Sequence, residues 1–476
     1  LYIISSIFTW LATVYFLTLT LLQLVKRKTV YIFLLIAPFP FFASIIITSP
    51  DLFTAYFISI LFWSMSLFFL VQYAKSKNIY IYISGLTFLI FSLLCLEYII
   101  PLLLLTIFFP LLYEINKIDL LKKESFINLF LRYFLPVIII ALFFLIFKIY
   151  LVKLYNNNQI IYGLNTFNLK SFLQAFYYYF VIFIEVPILL LETIAFIFKH
   201  KLFFLFLSLL ILIFFIINNK INNDNKIQNT LNHKNEKFFI LILILSLLSS
   251  AIIFFISVYP SSTFGYYNRM MLPSFVSLTI LVSIFLGKIN KRKYLVAPIF
   301  ISIFWIFSMF IQLDNSIKSW EIRVEIMEDI SKKIKKIKTN DNFVLIANVP
   351  FFLKDNYNNE TVFFTRWSFN AHLNMVSSLN LSVWPISHRI LIDPLFYPGH
   401  NIINKFNSIS NKSNIYYYQF EEDKEKSIFE NLGNKQDLLK KIESIKLKKI
   451  NNHPIILREK IRLKLIKLIQ ENFFIR

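Results

Sequence analysis

A few charged residues interrupt an otherwise apolar sequence, and their positions are its clearest indication of chemistry. Only ten of the 27 acidic residues lie before Asn315. A charged side chain within a bilayer costs roughly 2.5 to 3.5 kcal/mol on insertion scales. We therefore expect each charge within an apolar segment to have a structural or a functional role.

Two carboxylates are candidates for lining a catalytic cleft. Asp51 follows Ser49 and Pro50 where an apolar segment begins, so it would cap a helix N-terminus, line an outward-facing cleft, or do both. Glu97 lies near the middle of a long apolar stretch. It would be a solvated turn residue, or a site carboxylate that pairs with a cation or contacts an acceptor.

Arg269 is the basic residue best placed to bind a phosphate group. It follows Tyr266 and Tyr267 and lies just before an apolar segment that begins at Met271. A guanidinium group can donate two parallel hydrogen bonds to a phosphate, and tyrosines are typical of the membrane interface. We predict that Tyr266, Tyr267 and Arg269 bind substrate; the alternative is an arginine whose side chain reaches the lipid headgroups.

Glu185 and Glu192 would share one face of a continuous helix, because their spacing corresponds to two helical turns. Pro187 lies between them and disfavours a regular helix there. The two carboxylates would either pair with Lys or Arg on neighbouring helices or line a polar path.

The polar residues of the C-terminal part match no metal-binding pattern. The residues considered are His372, His388, Arg389, Asp393 and His400. Their spacing fits no known zinc signature, and the single cysteine, Cys95, lies in an apolar run and excludes a Cys-based zinc site. With six glycines in the chain, we find no Gly-rich phosphate loop. We therefore identify no metal site and no cofactor; a divalent metal has no support from the sequence.

The composition predicts an integral membrane protein. Hydrophobic residues make up 57% and charged residues 16% of the chain, against about a quarter charged in soluble domains. Apolar runs of about 18 to 25 residues match the thickness of a bilayer. We predict a mainly α-helical bundle of about 10 to 11 spans. The predicted spans are 1–25, 29–48, 52–74, two within 79–113, 134–152, 172–198, 202–217, 238–258, 271–287 and 294–313.

The stretch 79–113 is too long for one span. A single helix of that length would measure roughly 50 Å, whereas the hydrocarbon core is about 30 Å thick. We predict two spans that meet near Glu97 and Pro101. The second predicted span, 29–48, contains Pro38 and Pro40, which neighbouring helices can accommodate.

Basic clusters predict the orientation. Those at 26–28, 75–77, 117–132 and 288–293 favour the cytoplasm by the positive-inside rule. Simple crossings of 172–198 and 202–217 cannot satisfy all four clusters, so one segment there is expected to be interfacial, re-entrant or split at Pro187. The loop 259–270 and the C-terminal domain then lie outside. The net charge of +22 is attributed to these loops, and a nucleic-acid partner is not expected.

The residues after position 314 have a different character and hold the other 17 acidic residues. We predict a helix at 317–338, strands at 343–349, 361–365 and 414–420, and helices at 369–379 and 437–449. Alternating strands and helices indicate a small α/β domain. The chain is thus divided into a multi-span membrane domain, 1–314, and a soluble extracytoplasmic domain, 315–476.

The order of these features resembles the GT-C class of membrane glycosyltransferases, particularly protein mannosyltransferases and aminoarabinose transferases. Asp51, followed by a span and Lys75-Ser76-Lys77, resembles the Asp that opens a middle span in that class, and Arg269 with Pro273 resembles the residues that open a late span. The stretch from Gly85 to Glu97 resembles a Gly-Leu-rich span that ends in a Lys in relatives.

The resemblance implies transfer of a sugar from a polyprenyl-phosphate donor to a glycan, lipid or protein acceptor at the outer face of a bacterial plasma membrane. It also implies a catalytic carboxylate in the first outer loop. Because the chain begins with what resembles the second span, that carboxylate is expected upstream of Leu1, and the sequence is interpreted as an N-terminally truncated fragment. Asp51 and Glu97 are the candidates within it, and Glu97 in place of a Lys departs from the class.

Two other functions remain open. A transporter or flippase of lipid-linked glycans would show inverted repeats and broken helices, and the sequence has no clear internal repeat. A non-catalytic membrane protein of envelope assembly would tolerate loss of Arg269. Membrane lipids are the expected partners, and the sequence does not indicate an oligomeric state.

Overall fold

The chain is mainly α-helical and divides into two compact units. A computed structural model describes residues 2–40, 56–95, 97–115, 123–155, 169–199, 205, 208, 233–256, 271–288, 296–334, 343–349, 382–386, 414–420, 427–432 and 435–447. One unit comprises Leu1–Thr263 with Tyr267–Phe310, and the other comprises Phe264–Tyr266 with Ile311–Arg476.

The first unit is a bundle of apolar helices. In chain order they are α1 (Tyr2–Leu24), α2 (Arg27–Ile36), α3 (Ile58–Ser76), α4 (Ile79–Cys95), α5 (Leu103–Ile115), α6 (Lys123–Tyr155), α7 (Leu169–Phe180), α8 (Val186–Lys199), α9 (His233–Ser249), α10 (Ala251–Ile256), α11 (Leu272–Gly287) and the start of α12 (Val296–Ile334). Within the described residues, six helices are long and apolar enough to cross a membrane. By helix length and apolar composition, the prediction of a multi-pass helical membrane protein is confirmed.

The apolar stretch 79–113 forms two helices, as predicted. α4 and α5 are joined by a 3₁₀ segment, Glu97–Leu102, which contains Pro101. Proline cannot donate the backbone hydrogen bond that an α-helix needs at that position, and short 3₁₀ turns commonly serve as connectors. The sequence therefore located this hairpin from length and a proline alone.

The second predicted span is wrong in its extent, because α2 ends at Ile36, ahead of Pro38. Continuing the helix through Pro38 would remove a hydrogen bond and crowd the preceding turn. The carbonyls that follow are used by tryptophans: the indole N–H of Trp10 donates to the Ala37 carbonyl at 3.2 Å, and that of Trp305 donates to Phe39 at 3.0 Å. The remainder of the predicted span, 41–48, lies outside the described residues.

The predicted split at Pro187 is not observed. A π-helical turn, Val181–Glu185, joins α7 to α8 without a break. A wider turn just before Pro187 accommodates the missing N–H and the bulk of the ring. Of the neighbouring predicted span, 202–217, the structure describes only Leu205 and Ser208, so the interfacial and re-entrant alternatives stay predictions.

Helix contacts in the bundle use small and hydroxyl-bearing residues, which allow close approach in membranes. Between α3 and α4, the Ser59 hydroxyl donates to the Ser92 carbonyl at 2.9 Å and the Ser92 hydroxyl donates to the Ser59 carbonyl at 2.5 Å. Between α3 and α5, the Trp63 indole donates to the Thr106 hydroxyl at 2.9 Å. α3 packs against α1, α4 and α5 and is the central helix of this part of the bundle.

The second unit contains a small mixed sheet. Its strands are β1 (Phe343–Asn348), β2 (Ser382–Ile386), β3 (Asn414–Gln419) and β4 (Ile428–Asn431), and the helix α13 (Lys435–Leu447) follows them. The strand order is β2-β1-β3-β4, with β1 parallel to both β2 and β3, and β4 antiparallel to β3. The predicted strands at 343–349 and 414–420 and the helix at 437–449 are confirmed. β2 and β4 were not predicted, and the predicted elements at 361–365 and 369–379 lie outside the described residues.

The predicted helix 317–338 is not separate from the preceding span. α12 is one helix of 39 residues, and its later part covers one face of the sheet. Ile326, Met327 and Ile330 are buried there against Leu345 and Tyr418. Apolar spacing every three or four residues gives α12 a stripe that matches this face.

Candidate functional site

Most of the predicted site residues lie outside the part of the chain that the structure describes. This holds for Asp51, Tyr266, Tyr267 and Arg269, while Glu97 is described only as the first backbone position of the 3₁₀ segment. The C-terminal histidines and Asp393 also lie outside it. The roles proposed for these side chains therefore stay predictions, and the described residues nearest them are the ones that flank them in the sequence.

One end of the bundle gathers basic residues and is called the basic end. Ring contacts place the last turns of α5 beside the first turns of α9, with the Phe109 and Phe239 centroids 4.9 Å apart. At this level, Lys288 follows α11 and pairs with Glu236 of α9 at 3.3 Å. Residue Gly287 also lies against Thr29, at the start of α2. The basic clusters at 26–28, 75–77 and 288 thus flank helix ends that lie together.

The opposite end gathers aromatic residues and is called the aromatic end. Trp10 lies between Phe57 and Phe275, with ring centroids 6.0 Å away in both cases, and Trp305 lies 5.7 Å beyond Phe275. The Tyr98 hydroxyl donates to the Tyr56 carbonyl at 2.6 Å. The beginnings of α3 and α11, the end of α2 and the 3₁₀ segment therefore meet at this end.

A shared serine connects the 3₁₀ segment to α11. Ser246 of α9 donates to the Pro101 carbonyl at 3.1 Å, and its oxygen lies 3.0 Å from the Ser277 hydroxyl. The 3₁₀ segment also packs against α10 and α11. The connector that begins at Glu97 is thus held beside the first turns of the helix that follows Arg269.

The first turn of α11 is bound by a tyrosine from α7. The Tyr178 hydroxyl donates to the Leu247 carbonyl at 2.6 Å and lies 2.9 Å from the Ser274 hydroxyl. Because a phenol has one proton, Ser274 must donate to Tyr178 in that pair. α11 begins after Met271 without a side-chain cap, so the partial positive charge of its N-terminus is not neutralised by a capping side chain.

The described neighbours of the predicted site residues lie at the aromatic end. Tyr56 follows Asp51 by five residues, Tyr98 follows Glu97 directly, and Met271 follows Arg269 by two. The described residues that flank the three predicted positions in the sequence therefore lie at one end of the bundle.

Glu185 is buried within the bundle at the π-helical turn. Its side chain is 1% exposed, and its carboxylate accepts a hydrogen bond from the Tyr177 hydroxyl at 2.8 Å. The prediction for Glu185 was a pairing with Lys or Arg on a neighbouring helix, or a polar path. The contact described is with a tyrosine of the same continuous helical stretch, so both alternatives stay predictions. The side chain of Glu192 lies outside the described set.

Sequence reasoning missed a buried carboxylate at the basic end. Glu114 is 4% exposed at the end of α5; it pairs with the Lys77 ammonium and accepts a hydrogen bond from the Tyr133 hydroxyl. The Arg132 guanidinium is 3.9 Å away. The available signal was an acidic residue directly after a span and before a basic connector, which predicts a pairing across helix ends.

The second unit has its own buried polar cluster. Tyr418 of β3 donates to the Asp329 carboxylate at 2.8 Å, and Lys333 pairs with Asp329 at 3.0 Å and donates to the Ser427 carbonyl at 2.7 Å. Burial raises the pKa of Tyr418 well above its ordinary value, and the hydrogen bond to Asp329 raises it further. These contacts join α12 to the sheet, and we interpret the cluster as structural.

Among the described residues, no group of three or more His, Cys, Asp and Glu side chains could hold a metal ion. No protein-family model, curated protein or solved structure matches the chain. The resemblance to GT-C glycosyltransferases thus remains a prediction from the sequence.

Proposed function

We propose that the chain is an integral membrane glycosyltransferase of the GT-C type. It would move a sugar from a polyprenyl-phosphate donor to an envelope glycan, lipid or protein. The observation that carries this proposal is the meeting of three chain segments at the aromatic end, each flanking one of Asp51, Glu97 and Arg269. An active site of this class needs carboxylates and a phosphate-binding cation at one membrane face.

The topology of the proposal follows from the basic end. Its lysines and arginines face the cytoplasm by the positive-inside rule, so the aromatic end faces outward. About 10 to 11 spans then cross a bacterial plasma membrane, and the C-terminal unit is extracytoplasmic.

The proposed reaction assigns one role to each charged group. A carboxylate, with Asp51 and Glu97 as candidates, takes the proton of the acceptor hydroxyl or amine. The acceptor atom forms a bond to the anomeric carbon while the bond from that carbon to the phosphate oxygen breaks. The lipid phosphate leaves with the electron pair, and Arg269, close before the uncapped N-terminus of α11, stabilises its negative charge.

Replacing Arg269 tests the proposal directly. We expect Arg269→Ala to lower sugar transfer at least about 100-fold, as is typical when a donor that stabilises transition-state charge is removed. Arg269→Lys should retain part of the activity because it keeps the charge but not the two parallel hydrogen bonds. The assay follows a labelled sugar from polyprenyl phosphate into endogenous acceptors in membranes that contain the chain.

The matched control is Lys75→Ala, which removes a cation from the opposite end of the bundle. It should leave transfer unchanged at equal amounts of folded protein. Normal transfer by Arg269→Ala, or equal losses in both variants, would contradict the proposed phosphate role.

A transporter of lipid-linked glycans is the second candidate. The π-helical turn at Glu185 and the interruption between α9 and α10 at Ser250 are irregular helical elements of the kind that transporters use. A transporter would move the lipid-linked sugar across vesicles without changing its covalent structure. Analysis of the lipid-linked sugar after incubation with the reconstituted chain distinguishes flipping from transfer.

A further inference from the structure

At the basic end, two cationic side chains contact one buried carboxylate, so positive charge is in excess there. Glu114 contacts two cations, Lys77 and Arg132, so the group carries a net charge of about +1. The cations are 49% and 41% exposed, whereas the carboxylate is 4% exposed. Among the residues that the structure describes, Glu114 is the carboxylate that both cations contact, and each cation keeps part of its side chain exposed.

The backbone conformation of Lys77 is fixed by contacts of both its main chain and its side chain. Within the described residues, Lys77 is the one non-glycine residue with a positive φ, at 59°. The left-handed conformation costs about 1 kcal/mol or more for such a residue, and it persists where surrounding contacts determine it. Here the Lys77 backbone N–H closes α3 on the Tyr73 carbonyl at 2.8 Å while the side chain reaches Glu114.

Aromatic rings lie beside the Lys77 ammonium and the Arg132 backbone. The Lys77 ammonium lies 5.8 Å from the Tyr73 ring, which packs against the rings of Tyr82 at 4.6 Å and Tyr133 at 6.2 Å. The Tyr82 hydroxyl donates to the backbone carbonyl of Arg132 at 2.9 Å. Tyrosines at this density are typical of the headgroup level of a membrane.

Exposed apolar side chains flank this group on both neighbouring helices. Both helices expose apolar side chains along their length, and those nearest this group in the sequence include Ile79, Tyr80, Ile83, Ile127, Leu131 and Leu135. α4 packs against α6, so the group lies between two neighbouring helices that both expose apolar side chains. A ligand with an anionic head and hydrocarbon tails matches both the excess charge and the exposed apolar side chains.

We propose that Lys77 and Arg132 bind the phosphate group of an anionic phospholipid, with Glu114 as the residue that positions them. The occupant is a lipid of the surrounding membrane, because the site combines an excess positive charge with exposed apolar helix faces. This site is at the opposite end of the bundle from the proposed sugar-transfer site and is independent of that activity.

The experiment is a lipid titration of the full chain in neutral detergent, read by native mass spectrometry. Phosphatidylglycerol and phosphatidylcholine with the same acyl chains are compared. We expect tighter binding of phosphatidylglycerol, and Arg132→Gln should weaken it about fivefold, since one basic residue near the membrane surface contributes about that factor. Binding of phosphatidylcholine should not change.

Two controls separate this role from a structural one. Arg132→Lys should restore most of the phosphatidylglycerol binding, and Lys75→Gln, which removes a charge from the same helix end, should leave it unchanged. Arg132 is the more distant of the two cations from Glu114, so its replacement leaves the Lys77 pair and the fold in place.

The proposal is overturned if both lipids bind equally, or if Arg132→Gln and Lys75→Gln weaken phosphatidylglycerol binding to the same degree. Glycerol phosphate without acyl chains provides the last arm of the test. If it displaces phosphatidylglycerol at millimolar concentration, the site takes a soluble phosphate and the lipid assignment is wrong; if it does not, the assignment stands.

Discussion

The two ends of the membrane bundle hold their helices together in different ways. At the basic end, a buried carboxylate, Glu114, joins three helices through charged and phenolic partners. At the aromatic end, the contacts we describe are neutral: indole and phenol groups donate to carbonyls at Ala37, Phe39 and Tyr56. The comparison indicates that charge at the basic end is used for assembly, whereas helix packing at the aromatic end uses neutral groups.

The largest expected stability effect concerns the carboxylate at the basic end. Glu114→Gln keeps an acceptor for Tyr133 but removes the negative charge that Lys77 faces. We expect a loss of about 2 kcal/mol in the free energy of unfolding, less than for a fully buried pair because Lys77 can reach water. Unfolding in mixed detergent micelles gives this quantity.

The matched control is at the same end of the bundle. Glu236 is more exposed and pairs with Lys288 at 3.3 Å, so Glu236→Gln should cost less than about 1 kcal/mol. Equal losses in the two variants would show that the burial of Glu114 does not make it more important for stability than the exposed Glu236. The difference drawn between the two ends would then be wrong.

The next effect tests close packing at the basic end. A Cβ added at Gly287 would meet the Thr29 hydroxyl, with the Thr29 Cβ at 3.2 Å and the Cα at 3.3 Å. Because backbone lies among the contacts, Gly287→Ala should push α11 from α2 and cost about 1.5 kcal/mol. The double variant with Thr29→Ala, which removes the hydroxyl, should recover part of the loss in the same unfolding measurement; no recovery would place the cause elsewhere.

The smallest effect concerns a neutral contact at the aromatic end. Tyr98→Phe removes the hydrogen bond to the Tyr56 carbonyl at 2.6 Å and leaves that buried carbonyl without this donor. The expected loss is about 1 kcal/mol. Tyr82→Phe removes a hydrogen bond of 2.9 Å to Arg132 at the exposed surface of the basic end, and water can replace it, so the loss should be a few tenths of a kcal/mol. The reverse ranking would contradict the difference drawn between the two ends.

The local elements were largely predictable because they depend on short stretches of sequence. Length and Pro101 located the hairpin in 79–113, and apolar spacing located β1 and β3. The end of α2 was misjudged because a proline was treated as tolerable within a span. Here Pro38 coincides with the end of the helix, and the carbonyls of Ala37 and Phe39 accept hydrogen bonds from two tryptophans.

The contacts between helices were not predictable from spacing. Lys77 follows α3, Glu114 ends α5 and Arg132 lies in α6. The position of Glu114 indicates a pairing with a cation at a helix end, but the sequence separation does not identify which cation. The strands β2 and β4 were missed for a similar reason: they are short, and their pairing with β1 and β3 is what makes them strands. The residues of the candidate site were predicted from the sequence. The structure shows how the segments that flank them pack together.

The strand order of the C-terminal sheet determines when the sheet can form during synthesis of the chain. β1 is a central strand, and both of its partners follow it in the chain; β3 begins about 70 residues later. At typical translation rates this separation corresponds to roughly 4 to 14 seconds. During that interval the apolar stripe of α12 around Ile326 and Ile330 has no completed sheet to cover it. Newly made chains therefore pass through a stage at which a chaperone that binds apolar helices could bind this stripe of α12.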